Sequence, residues 1–133
     1  MKEWNIKKDR ICITGSSMGG YGTWEMGMTY PNYFSAIAPV CGGGMQWRFQ
    51  KLLATPVKAY HGNRDDVVEI TNSRLMMKNL AGSSARAELV EMDGFGHNDG
   101  IYEAYKNRDL IEWLLSKRRT NFELVREAFS EAF

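Results

Sequence analysis

The run Ile11-Cys12-Ile13-Thr14-Gly15-Ser16-Ser17-Met18-Gly19-Gly20 decides how the rest of the chain is read. A short apolar segment enters a G-x-S-x-G turn, and a helical pattern follows from about Tyr21. Such an elbow needs glycines on both sides of the serine, because the chain doubles back sharply and holds the serine in a strained backbone conformation. The serine oxygen then stands clear of the strand end. The next backbone N–H, that of Met18, opens a helix and can face a developing oxyanion. The competing reading is an ordinary glycine-rich turn with an incidental serine.

The composition sets bounds around that turn. The 133 residues suit one domain. Hydrophobic residues make up 44% and charged residues 25%, values ordinary for a globular protein. Seventeen Lys and Arg against sixteen Asp and Glu leave a net charge of +1, so no basic surplus marks a nucleic-acid or acidic-lipid partner. No apolar run approaches the roughly 18 residues of a membrane span. The opening residues lack an apolar signal core, which gives the expectation of a cytoplasmic protein. Cys12 and Cys41 lack metal-type spacing and read as buried free thiols, with a disulfide as the alternative.

Outward from the elbow, strand and helix patterns alternate. Residues 10–14 read as a buried strand, and 21–30 as a helix closed by Pro31-Asn32. Residues 34–41 read as a second strand ended by Gly42-Gly43-Gly44, and 45–53 as a short helix. A third strand, 56–61, runs into Gly62-Asn63-Arg64-Asp65-Asp66. A helix over 69–81 with Leu75, Met76 and Leu80 on one face comes next. The alternating segment 87–92 has the pattern of a half-exposed edge strand. A long helical stretch follows Gly96-His97-Asn98, with Ile111, Leu114 and Leu115 as its apolar face. This order predicts an α/β fold with about four parallel strands and helices on both faces. We divide it as 1–118, the α/β unit, and 119–133, an amphipathic helix striped by Phe122, Val125, Phe129 and Phe133.

In parallel sheets, function gathers in the loops beyond the strand C-termini, where Ser17, Asp65 and His97 all fall. A serine nucleophile needs a base within hydrogen-bonding reach and a third group to orient that base. His97, in a Gly-Phe-Gly-His loop, suits the base; Asp65 suits the orienting acid, with neighbouring Asp66 as the fallback. His61, at a strand end, reads as a packed neutral histidine. A metal site drawn from His61, Asp65, Asp66, His97 and Asp99 would leave the elbow unexplained, so no metal and no cofactor is expected.

Ile13–Trp24, Ala38–Gly44, His61–Val68 and Gly96-His97-Asn98 together resemble the α/β-hydrolase superfamily. The similarity is to its esterase and predicted-peptidase group, with dienelactone hydrolases, phospholipase/carboxylesterases and feruloyl esterases. The resemblance implies Ser17 as nucleophile, Asp65 as acid, His97 as base and the Met18 N–H as one oxyanion donor. It covers only the C-terminal half of a full domain. The absent half would carry further strands and the loop that supplies the second oxyanion donor.

The expected function is a serine carboxylesterase that hydrolyses short acyl esters through an acyl-enzyme, with a small ester as substrate. Trp47 and Tyr102 are candidates for lining its pocket. The alternatives are a catalytically weak or silent fragment that serves association, and a serine peptidase of the same fold. An exposed strand edge invites pairing, so a homodimer is expected, through the first strand, the C-terminal helix or both.

Overall fold

The structure, a computed structural model, describes residues 5–83 and 86–119. Strands β1 (Cys12–Ser16), β2 (Ala36–Val40), β3 (Val57–Gly62) and β4 (Ala87–Met92) form one parallel sheet in the order β1-β2-β3-β4. The register sets Cys12 opposite Ala36 and Ser16 opposite Val40, so β1 and β2 end level with each other. Gly62 and Met92 likewise close β3 and β4 together. Helix α1 (Met18–Thr29) links β1 to β2 and α2 (Thr71–Ser83) links β3 to β4. A 3-10 helix (Gln46–Leu52) lies between β2 and β3, and α3 (His97–Lys106) and α4 (Leu110–Leu115) follow β4.

Helices cover both faces, as expected, and the strands show why. Successive side chains of a strand point to opposite faces. Ile37, Val57 and Ala59 pack with Trp24 and Met28 of α1 and with Met76, Met77 and Leu80 of α2. Ala36, Ala38, Val40 and Tyr60 pack with Ala104, Leu110 and Leu114 of α3 and α4. The middle strands β2 and β3 are buried at every position, including the polar Lys58 and His61 of β3.

Three local expectations are corrected. Helix α1 starts at Met18 rather than near Tyr21, directly behind the elbow serine. On α2 the buried stripe is Ser73, Met76, Met77 and Leu80, while Leu75 is exposed. The stretch after His97 is two helices. Leu110 and Leu114 are buried there, whereas Ile111 and Leu115 are exposed. The break has an electrostatic cause. Lys58, buried in β3, donates to Asp109 Oδ2 at 2.7 Å, and the Tyr60 hydroxyl donates to Asp109 Oδ1 at 2.8 Å. A buried ammonium group needs such a partner, and holding Asp109 beside the sheet starts the second helix in a new phase.

At the end of the described chain, the Arg119 N–H donates to the Asp9 carbonyl at 2.9 Å. Its guanidinium donates to the Lys8 carbonyl, just ahead of β1. The expected amphipathic helix over 120–133 lies outside the described residues. No helix among the described residues is long and apolar enough to cross a membrane.

Candidate active site

Ser17 follows the last residue of β1 and caps α1 with φ +57° and ψ −116°. A non-glycine residue there carries a cost of about 1–3 kcal/mol, which the surroundings must impose. They do so from both sides. The Ser17 N–H donates to the Val40 carbonyl at 3.0 Å and lies 3.3 Å from Cys41 Sγ, while the Ser17 carbonyl accepts from the Tyr21 N–H at 3.0 Å. Space is just as tight: a Cβ on Gly15 would stand 2.5 Å from the Gly19 carbonyl oxygen, and one on Gly42 2.5 Å from the Gly20 carbonyl carbon. Met18 is 86% exposed and is the first helical residue, so its N–H has no acceptor within the helix.

The ends of β3 and β4 bring Asp65 and His97 together. The Arg64 N–H donates to the Phe95 carbonyl at 2.9 Å and the Asn63 N–H to the Met92 carbonyl at 3.2 Å. Asn63 also holds the turn with both side-chain atoms, donating to Asp93 and accepting from the Gly94 N–H, each at 2.8 Å. Across this zipped pair of loops, His97 Nδ1 lies 2.8 Å from Asp65 Oδ2. Oδ1 of the same carboxylate accepts the N–H groups of Val67 and Val68 at 2.9 and 2.8 Å.

These bonds fix the protonation pattern. Burial by itself would raise the Asp65 pKa. The hydrogen bonds from His97, Val68 and Val67 outweigh burial and hold the carboxyl below its ordinary value. An ionised carboxylate only accepts, so His97 Nδ1 donates and its Nε2 carries the basic lone pair.

His61 is the packed histidine expected of its strand-end position. Its side chain is fully buried, with Nε2 2.7 Å from the Val68 carbonyl and Nδ1 2.6 Å from Ser73 Oγ. A carbonyl only accepts, so Nε2 holds a proton and donates it to Val68, while the Ser73 hydroxyl meets Nδ1 and also reaches the Gly42 carbonyl at 3.2 Å. Burial pushes its pKa down, which agrees with a neutral ring. This ring ties the loop that bears Asp65 to α2.

Asp66 is exposed, so the buried acid paired with His97 is Asp65. Trp47 is 69% exposed on the 3-10 helix and Tyr102 is 63% exposed on α3. Cys41, left out of the sequence-derived site, sits beside the elbow with φ +42°. Its Sγ, a carboxylate oxygen of Asp65 and a ring nitrogen of His97 all lie within 4.8 Å of one another. Burial first, and then the charge of Asp65, raise its thiol pKa to about 11 against the opposing pull of the Ser17 amide. The signal that could have found it is the register: if Ser16 is level with Val40, the next residues, Ser17 and Cys41, are neighbours.

No family model matches the chain. A curated relative, the bifunctional acetylxylan esterase/xylanase XynS20E of Neocallimastix patriciarum, is 31% identical over 78 residues, covering 59% of this chain and 12% of the relative. Among solved structures, a thermostable esterase superposes with a TM-score of 0.82 and 36% identity, over 89% of this chain and 33% of that one. Esterase PE8 gives a TM-score of 0.60 at 26% identity, over 77% of this chain and 51% of that one. SOBER1 of Arabidopsis thaliana, at 20% identity, shares the fold with a TM-score of 0.67, over 84% of this chain and 56% of that one. The chain thus spans about a third of the thermostable esterase and a smaller part of the curated relative. Its parallel sheet, serine elbow and strand-end loops are those of a truncated α/β-hydrolase fold, and within that fold its likeness is to the esterase group.

Proposed function

We propose that the chain carries the catalytic centre of a serine ester hydrolase acting on short acyl esters. Ser17 Oγ attacks the ester carbonyl, His97 Nε2 takes its proton and then protonates the departing alcohol, and Asp65 holds and stabilises the imidazolium. Water repeats the sequence to release the acid. The observation that carries this reading is the pairing of a left-handed serine elbow with a buried carboxylate–imidazole hydrogen bond of 2.8 Å at the same end of one parallel sheet. The esterases among its structural relatives support the ester as the bond cleaved.

The Met18 N–H serves as one oxyanion donor. A second donor comes from outside the described residues, from further strands beside β1 or from a second copy of the chain. Losing one such donor costs on the order of 100- to 1,000-fold in rate, so activity without it is low. This shortfall favours esters over amides, whose leaving groups need more oxyanion help. Trp47 and Tyr102, both exposed, are the aromatic groups proposed to meet an acyl or alcohol portion.

A second reading is favoured by β1, which is an edge strand among the described residues: a domain whose role is association, with the triad residues idle. Hydrolysis of p-nitrophenyl acetate and butyrate, measured beside Ser17→Ala, separates the two. Turnover that vanishes in the variant supports the esterase; equal background release from both overturns it.

A further inference from the structure

We propose that Cys41 Sγ, a carboxylate oxygen of Asp65 and a ring nitrogen of His97 form a binding site for one thiophilic divalent cation of the zinc class, and that its occupation shuts the catalytic centre. Water would complete a tetrahedral set. The inhibitory half of this inference rests on the ester-hydrolase reading above; the binding half does not.

The donor set is one that zinc selects: one sulfur, one imidazole nitrogen and one carboxylate oxygen. Two of the three residues are buried, and the donor atoms already lie within 4.8 Å of one another. Donors on a single tetrahedral zinc stand roughly 3.3–3.8 Å apart, given bond lengths near 2.0–2.3 Å. Binding therefore draws the three donors from where they stand in the structure to that spacing. His97, whose side chain is 12% exposed, gives the ion its way in.

The supporting shell is already in place. The Ser17 N–H stands 3.3 Å from Cys41 Sγ, where it favours a coordinated thiolate. The amides of Val67 and Val68 hold Oδ1 of Asp65 and leave Oδ2 facing His97. Ser17 and Cys41 are also the two non-glycine residues with positive φ among the described residues, and backbone strain of this kind clusters at functional sites.

The chemistry balances without any further reactant. The ion binds, the Cys41 thiol loses one proton to solvent, and the carboxylate joins as the anion it already is. Either ring nitrogen gives the same outcome. Coordination through Nε2 occupies the basic lone pair directly. Coordination through Nδ1 sends that nitrogen's proton to Nε2. In both cases His97 can no longer accept the serine proton.

The test uses the chain stripped of metal and titrated with cobalt(II), whose thiolate charge-transfer band reports a Co–S bond without any turnover. Saturation at one equivalent, with the band present in the parent and in Cys12→Ser but absent in Cys41→Ser, is the expected result. No band in the parent, or the same band in Cys41→Ser, overturns the site. Should Cys41→Ser fail to fold by circular dichroism, Asp65→Asn replaces it. The band then remains but cobalt affinity falls by at least the roughly 10- to 100-fold that loss of even an outer partner costs, and unchanged affinity overturns the site. Zinc must displace cobalt and suppress p-nitrophenyl acetate hydrolysis over the same concentration range. Displacement with unaltered turnover overturns the inhibitory role, whereas a parent with no Ser17-dependent turnover tests the esterase reading and leaves the cobalt result standing.

Discussion

The two edges of the sheet are built from different chemistry. On β4, Glu88 and Glu91 are exposed and Glu91 pairs with Arg74 at 2.6 Å, so the strand shows a charged, solvated margin. On β1, the residues Cys12-Ile13-Thr14-Gly15-Ser16 carry no charge and no proline, and all five are half-buried. Natural sheets protect a free edge with charges, prolines or bulges. β4 has that protection and β1 lacks it. The difference teaches that β4 presents a charged margin to solvent, while β1 is suited to a further strand. The proposed catalytic residues divide in the same way: Ser17 stands on the unprotected side, Asp65 and His97 on the protected side.

The comparison is broken most severely at Ser17. Ser17→Ala is expected to lower ester turnover to background, a loss of up to about 10⁶-fold where such triads have been dissected. Asp65→Asn tests the other side of the sheet. It should cost on the order of 10⁴-fold in kcat, because the amide no longer fixes the His97 tautomer. A loss of less than tenfold in a p-nitrophenyl acetate assay would show that Asp65 is not the orienting acid.

The edge itself is probed by sedimentation. The parent chain is expected to associate through β1, and Ser16→Lys, which places a charge on that strand outside both core clusters, is expected to run as a monomer. A parent chain that sediments as a single monomeric species contradicts the pairing. The matching change on β4, Glu88→Ala, should leave sedimentation untouched and stability within about 0.5 kcal/mol, as for most surface substitutions.

A subtler effect separates the loops from the edges. His61 is buried with its pKa lowered, so the unfolded chain binds more protons as the pH drops below the ordinary histidine value of 6.5. Stability therefore falls on acidification through that range, and His61→Gln should flatten the slope in urea titrations at a series of pH values. Asp65 acts in the same direction at lower pH. Its contribution is present above its ordinary value of 3.8 and is lost as the pH falls through the depressed folded-state pKa.

Much of this was legible in the chain. The apolar run that became β2 and the segment that became β3 read as strands, and the alternation over Ala87–Met92 marked an edge strand with those limits. Helix phase was less legible. Leu75 and Leu115 resemble core residues by type, yet both face solvent, because which side of a helix meets the sheet depends on where the preceding loop starts it. The anchoring of Asp109 by Lys58 and Tyr60 set that start for α4. No pattern within either segment contains it.

By itself, the sequence determined the elbow, the order of strands and helices, and the residue types at each strand end. These follow from local backbone chemistry: glycines around a tight turn, apolar runs bounded by breakers, and periodicity along each element. Only the tertiary structure decided that Asp65 rather than the fallback Asp66 meets His97, that the His61 ring ties the Asp65 loop to α2, and that Cys41 stands against Ser17. Those outcomes depend on the register between strands and on which carboxylate the Val67 and Val68 amides capture. They are contacts between segments distant in the chain, set by packing that no single stretch encodes.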